Sequence, residues 1–404
     1  MQQLCILATF RVRPSEEAKV NVLIAAVSAP MHMNGVSRHA ASLATALLQT
    51  ESISKVHFVA GDWQREMFRE IIEKSDARLH THFVNPRFGN LGRLSWYYRE
   101  LPHVEEQLEV DVVHLAYPAP IRSGAFRCAY VVSLHDLYPF DIPENFGMVR
   151  SVIARAIMRQ CIERVDGIAC VSESTRSGLE TWFPEAAPKA VIVHNVVEPG
   201  RLHPMSRSAL LPGERPFLLC VAQHRRNKNV PLAIRVFERV LRERIIPYNA
   251  RLLVVGIQGP ETGEIQETIR ELKLERNVLL LSGLSEAELQ RCYRQCRLLI
   301  APSTIEGFGL PVAEALQSGC PVVCSDIPAF REVGGEACRY VAWGDGVVKR
   351  YVQAVSEVLN SPRPSPIHLP HLSSRMIGQK YANWYHRLTC SSVSEFWYAT
   401  ATRT

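Results

Sequence analysis

The stretch that decides the fold reads Glu306-Gly-Phe-Gly-Leu-Pro-Val-Ala-Glu314, and it lies between two short apolar runs, Leu298–Ala301 and Pro321–Cys324. The apolar runs predict buried strands. The proline of the stretch suits the first turn of a helix, where its missing N–H has no partner to lose. Gly319 suits the position just past a helix end, where φ is often positive. The pattern therefore predicts a strand, a loop, a helix from about Leu310 to Ser318, and a second strand.

The loop of this unit has the chemistry of a ligand site. Backbone amides at the start of a helix carry partial positive charge and bind phosphate. Glu306 and Glu314 flank those amides and, as hydrogen-bond acceptors, suit sugar hydroxyls. Phosphate and hydroxyl groups in one pocket indicate a nucleotide sugar. The alternative is an ordinary strand-to-helix turn with two surface glutamates.

The whole block resembles the Glu-x7-Glu signature of the retaining, GT-B-fold glycosyltransferases of family 4, also called group 1. The resemblance includes Gly-Phe-Gly-Leu-Pro and the following Ala-Leu-x-x-Gly-x-Pro-Val-Val, which ends at Val323. It implies an α/β fold with two doubly wound Rossmann-like domains that face each other across a cleft. It also implies transfer of a hexose-type sugar from a nucleotide-diphosphate sugar to a glycan or lipid-linked acceptor, with retention of configuration, in cell-envelope polysaccharide synthesis.

Strand-like runs alternate with helix-like stretches along the chain, which predicts parallel sheets. One series occupies the first half and a second series follows a loop near residues 200–215. The expected organisation is a 1–19 extension, an N-terminal acceptor-side domain over 20–200, a nucleotide-sugar-binding domain over 205–370, and a C-terminal helix over about 376–404 that packs back on the first domain. The expected strands are 20–27, 56–60, 110–115, 130–134, 167–171 and 190–194 in the first series, and 216–221, 250–255, 277–281, 297–301 and 320–325 in the second.

Composition bounds the class of protein. A chain of 404 residues suits two domains. Residues 1–200 carry 20 Lys and Arg against 22 Asp and Glu, whereas residues 201–404 carry 26 against 18. A basic second half fits a domain that binds a diphosphate. Because no basic run with interleaved aromatic residues is present, we expect no nucleic-acid partner.

Cysteine usage and hydropathy bear on location. The 11 cysteines lack zinc-ligand spacing, and several lie in apolar runs, as expected of small buried residues in a reducing compartment. No stretch approaches the roughly twenty apolar residues of a membrane span. We expect a cytoplasmic protein, with peripheral contact at the inner membrane face as a further expectation.

Several residues that follow predicted strands are candidates for donor binding. Gly35 opens a predicted helix where the family has a glycine-rich loop, although Asn34 replaces one glycine; a plain turn glycine is the alternative. Lys228 matches the family's diphosphate-binding lysine. The partner arginine is either Arg225 or Arg226, and we assign Arg226; a solvated charge run is the alternative. The resemblance assigns the remaining donor contacts to Gly307, Phe308, Gly309, Leu310 and, for the ribose hydroxyls, Glu314.

Two residues are candidate catalytic groups by resemblance. Glu306 matches the glutamate that contacts the transferred sugar. His135, which ends a predicted strand and precedes Asp136, matches a histidine that contacts the donor sugar from the opposite wall; a structural histidine is the alternative. The chain has no Asp-x-Asp pair, so we expect no metal and no cofactor, with basic side chains and the helix start holding the diphosphate instead.

The sequence signals for an acceptor site are less specific than those for the donor site. The segment 86–98 contains two arginines and four aromatic residues, and it fits either an acceptor surface or a buried amphipathic helix with Trp96 inward. Other functions on the same fold are a nucleotide-sugar epimerase or hydrolase, a phosphorylase, and a non-catalytic nucleotide-sugar-binding module. A nicotinamide dehydrogenase is excluded because the first strand is not followed by G-x-G-x-x-G.

Overall fold

A computed structural model describes residues 19–29, 33–73, 76–86, 89–122, 124, 127–198 and 215–390. Three parts of the expected organisation therefore lie outside the described residues. These are nearly all of the 1–19 extension, most of the interdomain loop, and the last 14 residues of the C-terminal segment.

The first half of the chain forms a parallel sheet of seven strands within the described residues, in the order β3-β2-β1-β4-β5-β6-β7. Consecutive strands run parallel because helices or longer connections return the chain to the same edge. The strands are β1 Val20–Ala25, β2 Ile53–Gly61, β3 Leu79–Val84, β4 Val112–Leu115, β5 Ala129–Leu134, β6 Gly167–Cys170 and β7 Ala190–Ile192. The helices are α1 Gly35–Leu47, α2 Arg69–Ile72, α3 Gly89–Ser95, α4 Leu101–Leu108, α5 Tyr138–Asp141, α6 Met148–Arg164 and α7 Glu173–Trp182.

The second half forms a separate parallel sheet, with six strands in the described part and the order β10-β9-β8-β11-β12-β13. Its strands are β8 Phe217–Val221, β9 Arg251–Val255, β10 Val278–Leu281, β11 Leu299–Ala301, β12 Val322–Ser325 and β13 Arg339–Val341. Its helices are α8 Val230–Arg242, α9 Thr262–Glu271, α10 Glu286–Gln295, α11 Leu310–Gln317, α12 Pro328–Gly334 and α13 Val347–Leu359. Each sheet has buried apolar residues on both faces, as expected for parallel sheets covered by helices. The predicted α/β class with two doubly wound domains is confirmed.

The last described helix, α14 Ser374–Cys390, lies against α1 of the first domain. The two helices approach so closely that a Cβ on Gly378 would lie 2.1 Å from the carbonyl oxygen of Ala46. Tyr381, Trp384 and Tyr385 are buried in the same core as β1 and α1. The C-terminal segment thus crosses from the second domain to the first. No helix among the residues that the structure covers combines the length and the apolar character needed to span a bilayer.

Candidate active site

The centre of the candidate site is an ion pair between Glu306 and Lys228. The Lys228 Nζ donates to both carboxylate oxygens of Glu306, at 2.6 and 2.7 Å. Ser303 adds a hydrogen bond from its hydroxyl to Oε1 at 2.7 Å. Both charged side chains are largely buried. Glu306 follows β11 and Lys228 follows β8, and these strands are neighbours in the second sheet, so two predicted site residues meet at its carboxyl edge.

The first domain contributes the opposite wall of this pocket. The Tyr138 hydroxyl lies 3.5 Å from Glu306 Oε2. Burial raises the pKa of Asp136 to about 6, while the charges of Arg225 and Lys228 partly offset that rise. The positive charges of Arg225 and Lys228, which belong to the second domain, therefore act on Asp136 across the cleft.

The two candidate arginines face different neighbours. Arg225 interacts electrostatically with Asp136 and Tyr138, and its guanidinium lies 6.0 Å from the ring centre of Phe146. Arg226 interacts electrostatically with Glu261 in the second domain. Both arginines line an adjoining cavity of about 400 Å³, and the charge of Arg225 also acts on Asp136 and Tyr138 of the first domain.

His135 lies at the carboxyl end of β5 in the wall formed by the first domain. Its Nε2 donates to the carbonyl oxygen of Ala116 at 2.9 Å, which fixes the tautomer with Nδ1 unprotonated. Burial lowers the pKa of His135 to about 4, so the ring is neutral at physiological pH. A neutral, oriented imidazole can accept a hydrogen bond from a hydroxyl through Nδ1.

The glycine-rich turn before α11 is packed directly against His135. A Cβ on Gly307 would lie 1.8 Å from the His135 carbonyl oxygen, so only glycine allows this approach. The Gly307 carbonyl accepts hydrogen bonds from the hydroxyls of Ser172 and, at 3.1 Å, Thr175. Ser172 also caps α7, so the segment after β6 both starts this helix and links the two domains.

The other residues of the turn set the start of the helix. Phe308 is buried against Val171 and Leu372. Gly309 has φ +100° and precedes Leu310, the first residue of α11. Pro311 has no N–H, and the amides of Val312 and Ala313 donate to the Gly309 carbonyl at 3.0 and 3.2 Å. The Leu310 amide is therefore the one at the helix start that can present partial positive charge to the turn.

Glu314 is already engaged at both carboxylate oxygens. Arg38 of α1 donates to Oε1 at 2.5 Å, and the Tyr293 hydroxyl donates to Oε2 at 2.8 Å. Arg38 also pairs with Glu286 at 2.9 Å. Burial raises the pKa of Glu314, while the Arg38 charge opposes that shift. Arg38 of the first domain thus already binds the carboxylate that the family resemblance assigns to the ribose hydroxyls.

Gly35 begins α1 on the same side of the cleft as Arg38. A Cβ on Gly35 would meet no atom within 4 Å. Asn34 caps the helix, because its side-chain oxygen accepts from the Ser37 amide at 2.9 Å. The asparagine that departs from the family pattern therefore has a structural role at this turn.

Sequence reasoning missed several groups of the site. Ser303 could have been found, since it follows β11 directly, where ligands of parallel sheets gather. Arg38 and Tyr293 have no local signal, because each reaches Glu314 through the arrangement of separate elements. In the segment 86–98, Trp96 is buried, as the structural alternative predicted, and it lines a cavity of about 620 Å³ in the first domain.

Two Rossmann-like domains with facing carboxyl edges define the GT-B class of glycosyltransferase folds. Residues 204–372 match the family model described as "Glycosyl transferases group 1", and residues 33–201 match "Glycosyltransferase Family 4". The chain belongs to the group 1 glycosyltransferases, and the resemblance inferred from the sequence is confirmed.

The similarity of this chain to individual relatives is low. The O-antigen chain mannosyltransferase RfbU of Salmonella typhimurium is 25% identical over 210 residues, which are 52% of this chain and 56% of that protein. The chain thus spans about half the length of this relative. The O-antigen chain mannosyltransferase B of Escherichia coli is 22% identical over 324 residues, 76% of this chain and 82% of that protein. The crystal structure of HepE from Anabaena, in complex with UDP and glucose, superimposes with TM-score 0.61 at 15% identity, covering 94% of this chain and 100% of HepE.

Proposed function

We propose that the protein transfers a hexose-type sugar from a nucleotide-diphosphate sugar to a glycan or lipid-linked acceptor of a cell-envelope polysaccharide, with retention of anomeric configuration. Two O-antigen mannosyltransferases among its relatives support the polysaccharide context. They also make a nucleotide-diphosphate mannose the first donor to test. The single observation that carries the proposal is the buried contact between Lys228 and both oxygens of Glu306.

This contact suits the departure of a diphosphate. An ammonium group has three N–H donors, and Glu306 fixes Lys228 so that a remaining N–H can meet a phosphate oxygen. Arg225, and Arg226 from the adjoining cavity, supply further positive charge. The amides at the start of α11 add fixed dipoles. Preorganised donors of this kind stabilise the negative charge that grows on a leaving group.

The acidic side chains hold hydroxyl groups. Glu306 would contact the transferred sugar, with the neutral His135 accepting a hydroxyl hydrogen bond on the other side. Glu314 would take the ribose hydroxyls once Arg38 moves away. A closed cleft around these groups would exclude water and limit hydrolysis of the donor.

We further propose that transfer needs no metal and no cofactor. Lys228, Arg225 and Arg226 would take the place of a divalent cation at the diphosphate. Activity should then persist in excess chelator, and strict dependence on added Mg²⁺ or Mn²⁺ would contradict this part of the proposal.

The decisive experiment is substitution of the ion pair. Lys228→Ala and Glu306→Ala should each lower transfer by about a hundredfold or more, because each removes a group that acts on the reacting end of the donor. Lys349→Ala and Glu336→Ala, which alter exposed residues of the same domain, are matched controls. Steady-state turnover and thermal melting would be measured for all four variants after donor screening by thermal shift.

The same assay separates the alternatives. A transferase releases nucleoside diphosphate and a glycoside whose anomeric configuration NMR can assign. An epimerase would return a nucleotide sugar, and a hydrolase would return free sugar in the presence of acceptor. A non-catalytic module would bind nucleotide with no turnover. Near-normal turnover of the Lys228 and Glu306 variants would refute the site.

A further inference from the structure

The outer side of α6 carries a patch of apolar residues that no other described element covers. Met148, Val149, Val152 and Ile153 are 85%, 72%, 61% and 51% exposed. Spacings of one, four and five residues place them side by side over the first turns of the helix. We call these four residues the α6 patch. Single exposed apolar residues are ordinary on protein surfaces, whereas four adjacent ones mark an interaction site.

The helix beneath the patch is apolar on its inner side as well. Met158, Cys161 and Ile162 are buried in the core of the first domain. A helix with apolar residues on both sides is normally enclosed, but here the outer side faces solvent. The inner side of α6 therefore packs in the core of the first domain, whereas its outer side packs against no other described element.

Charge around the patch identifies the kind of partner. The helix contains four arginines, at positions 150, 155, 159 and 164, and one acidic residue, Glu163. Arg150 is exposed next to the patch, and Glu144 is exposed one turn before it. Arg159, 55% exposed two turns further on, lies 3.9 Å from Glu163, so Arg150 is the cation nearest to the patch. Apolar side chains flanked by cations fit an anionic lipid surface, where the chains enter the headgroup boundary and the cations meet phosphates. A second copy of this chain would instead bring two sets of arginines together.

The patch is continuous with the mouth of the cleft. The segment 143–146 immediately before α6 contacts the second domain, where the Asn145 side-chain amide donates to Asn227 Oδ1 at 3.2 Å. Arg155 donates to the carbonyl of Pro139 at 2.6 Å and ties α6 to the loop that follows His135. A surface bound at the patch would therefore lie beside the acceptor wall of the site.

We propose that the α6 patch docks the protein on an anionic lipid bilayer and so presents the cleft to a lipid-linked acceptor. The acceptor part of this inference rests on the proposed function, whereas the docking part does not. The inference specifies peripheral binding through one helix, with the apolar side chains inserted and Arg150 at the level of the phosphates.

Co-sedimentation of the full chain with vesicles tests this directly. Vesicles of phosphatidylglycerol mixed with phosphatidylcholine should bind the protein, and pure phosphatidylcholine should bind it more weakly. The triple variant Val149→Gln, Val152→Gln, Ile153→Gln should bind the anionic vesicles about tenfold or more weakly, since it removes the inserted apolar area. Arg150→Gln should weaken binding less, and its effect should vanish in about 0.5 M salt.

The matched control is Tyr248→Gln, which removes an aromatic side chain that is 89% exposed in the second domain. It should bind vesicles like the unaltered chain. The proposal fails if the unaltered chain does not bind anionic vesicles, or if the triple variant binds them equally well. It also fails if sedimentation velocity shows a dimer that the triple variant abolishes while vesicle binding is unchanged. Donor binding by thermal shift, measured on the same proteins, shows whether the proposed function itself has failed.

Discussion

A single glycine determines how closely the donor-side turn can approach the first domain. Gly307 lies under the His135 carbonyl, where a Cβ would come within 1.8 Å of backbone. Neither partner can move aside without shifting its loop, because both atoms belong to the main chain. The backbone position of Gly307, which follows Glu306 in the turn before α11, is thus constrained by the first domain rather than by α11.

We expect Gly307→Ala to lower transfer by about tenfold or more, since displacement by even 1 Å from reactive geometry has effects of this size. The domain cores are untouched, so the melting temperature should change little. Gly263→Ala is the control, because a Cβ at Gly263 meets no atom within 4 Å. Comparison of kcat/KM and melting for both variants provides the measurement. Full activity of Gly307→Ala would mean that the closed contact with His135 is not used in catalysis.

At the residue scale, the sequence predicted the groups that share a strand end and missed those that meet across domains. Lys228 and Glu306 each follow a strand of one sheet, so parallel topology alone brings them close. The pairing of Arg38 with Glu314 depends on how two domains face each other, which no local pattern encodes. The electrostatic interaction of Arg225 with Asp136 of the first domain has the same origin.

At the element scale, the structure confirms the strands with continuous apolar runs. The helix predicted from about Leu310 to Ser318 is α11 Leu310–Gln317, followed by Gly319 with φ +62°. Two strands were missed, β3 and β13. β3 reads Leu-His-Thr-His-Phe-Val and is only partly buried at the sheet edge, so its alternating polar residues resemble a loop. β13 has three residues, too few for a periodic pattern.

A buried polar network joins four elements of the first domain. Ser133 on β5 hydrogen-bonds His39 of α1 at 2.8 Å and His114 of β4 at 2.7 Å. His114 also bonds the Tyr385 hydroxyl of α14 at 2.5 Å. The His39 ring contacts His135 edge-on, with centres 4.7 Å apart. The C-terminal helix is therefore linked through three neutral histidines to the wall of the candidate site.

This network predicts a loss of stability in acid. Burial lowers the pKa of His114 to about 3 and of His135 to about 4, and lowers that of His39 well below its usual 6.5. Between about pH 4 and 6.5 the unfolded chain binds protons that the folded chain cannot. The contribution of these histidines to the free energy of unfolding should therefore fall as pH decreases through this window, with a slope that approaches about 1.4 kcal/mol per pH unit for each histidine at its acidic end.

The substitution His114→Gln removes one of the three titrating histidines and so measures its contribution. Glutamine retains hydrogen-bonding groups but does not titrate, so the slope of unfolding free energy against pH should decrease by about 1 kcal/mol per unit, averaged between pH 5 and 6.5. Urea unfolding at several pH values between 5 and 6.5 measures both slopes. Parallel curves for the variant and the unaltered chain would show that His114 is protonated in the folded protein.

At the scale of the whole molecule, side chains from each domain hold the cleft closed. Arg38 of α1 bridges Glu314 and Glu286. Glu332 of α12 accepts from the Glu173 amide at 2.9 Å and contacts His194 at 2.9 Å. Arg38 binds Glu314, the carboxylate that we propose holds the ribose hydroxyls. Donor binding and the contact between the two domains therefore compete for Glu314.

We expect Arg38→Gln to open the unliganded protein. The charge-assisted hydrogen bond to the buried Glu314 contributes about 1.5–3 kcal/mol, whereas the exposed pair with Glu286 contributes little. Losing both should lower the ratio of closed to open molecules by about tenfold or more. Small-angle X-ray scattering should report a larger radius of gyration than for the unaltered chain. Arg239→Gln is the matched control, because its ion pair with Glu243 lies within one helix. If Arg38→Gln scatters like the control, closure depends on the Gly307 and Glu332 contacts instead, and Arg38 serves only to neutralise a buried carboxylate until the donor replaces it.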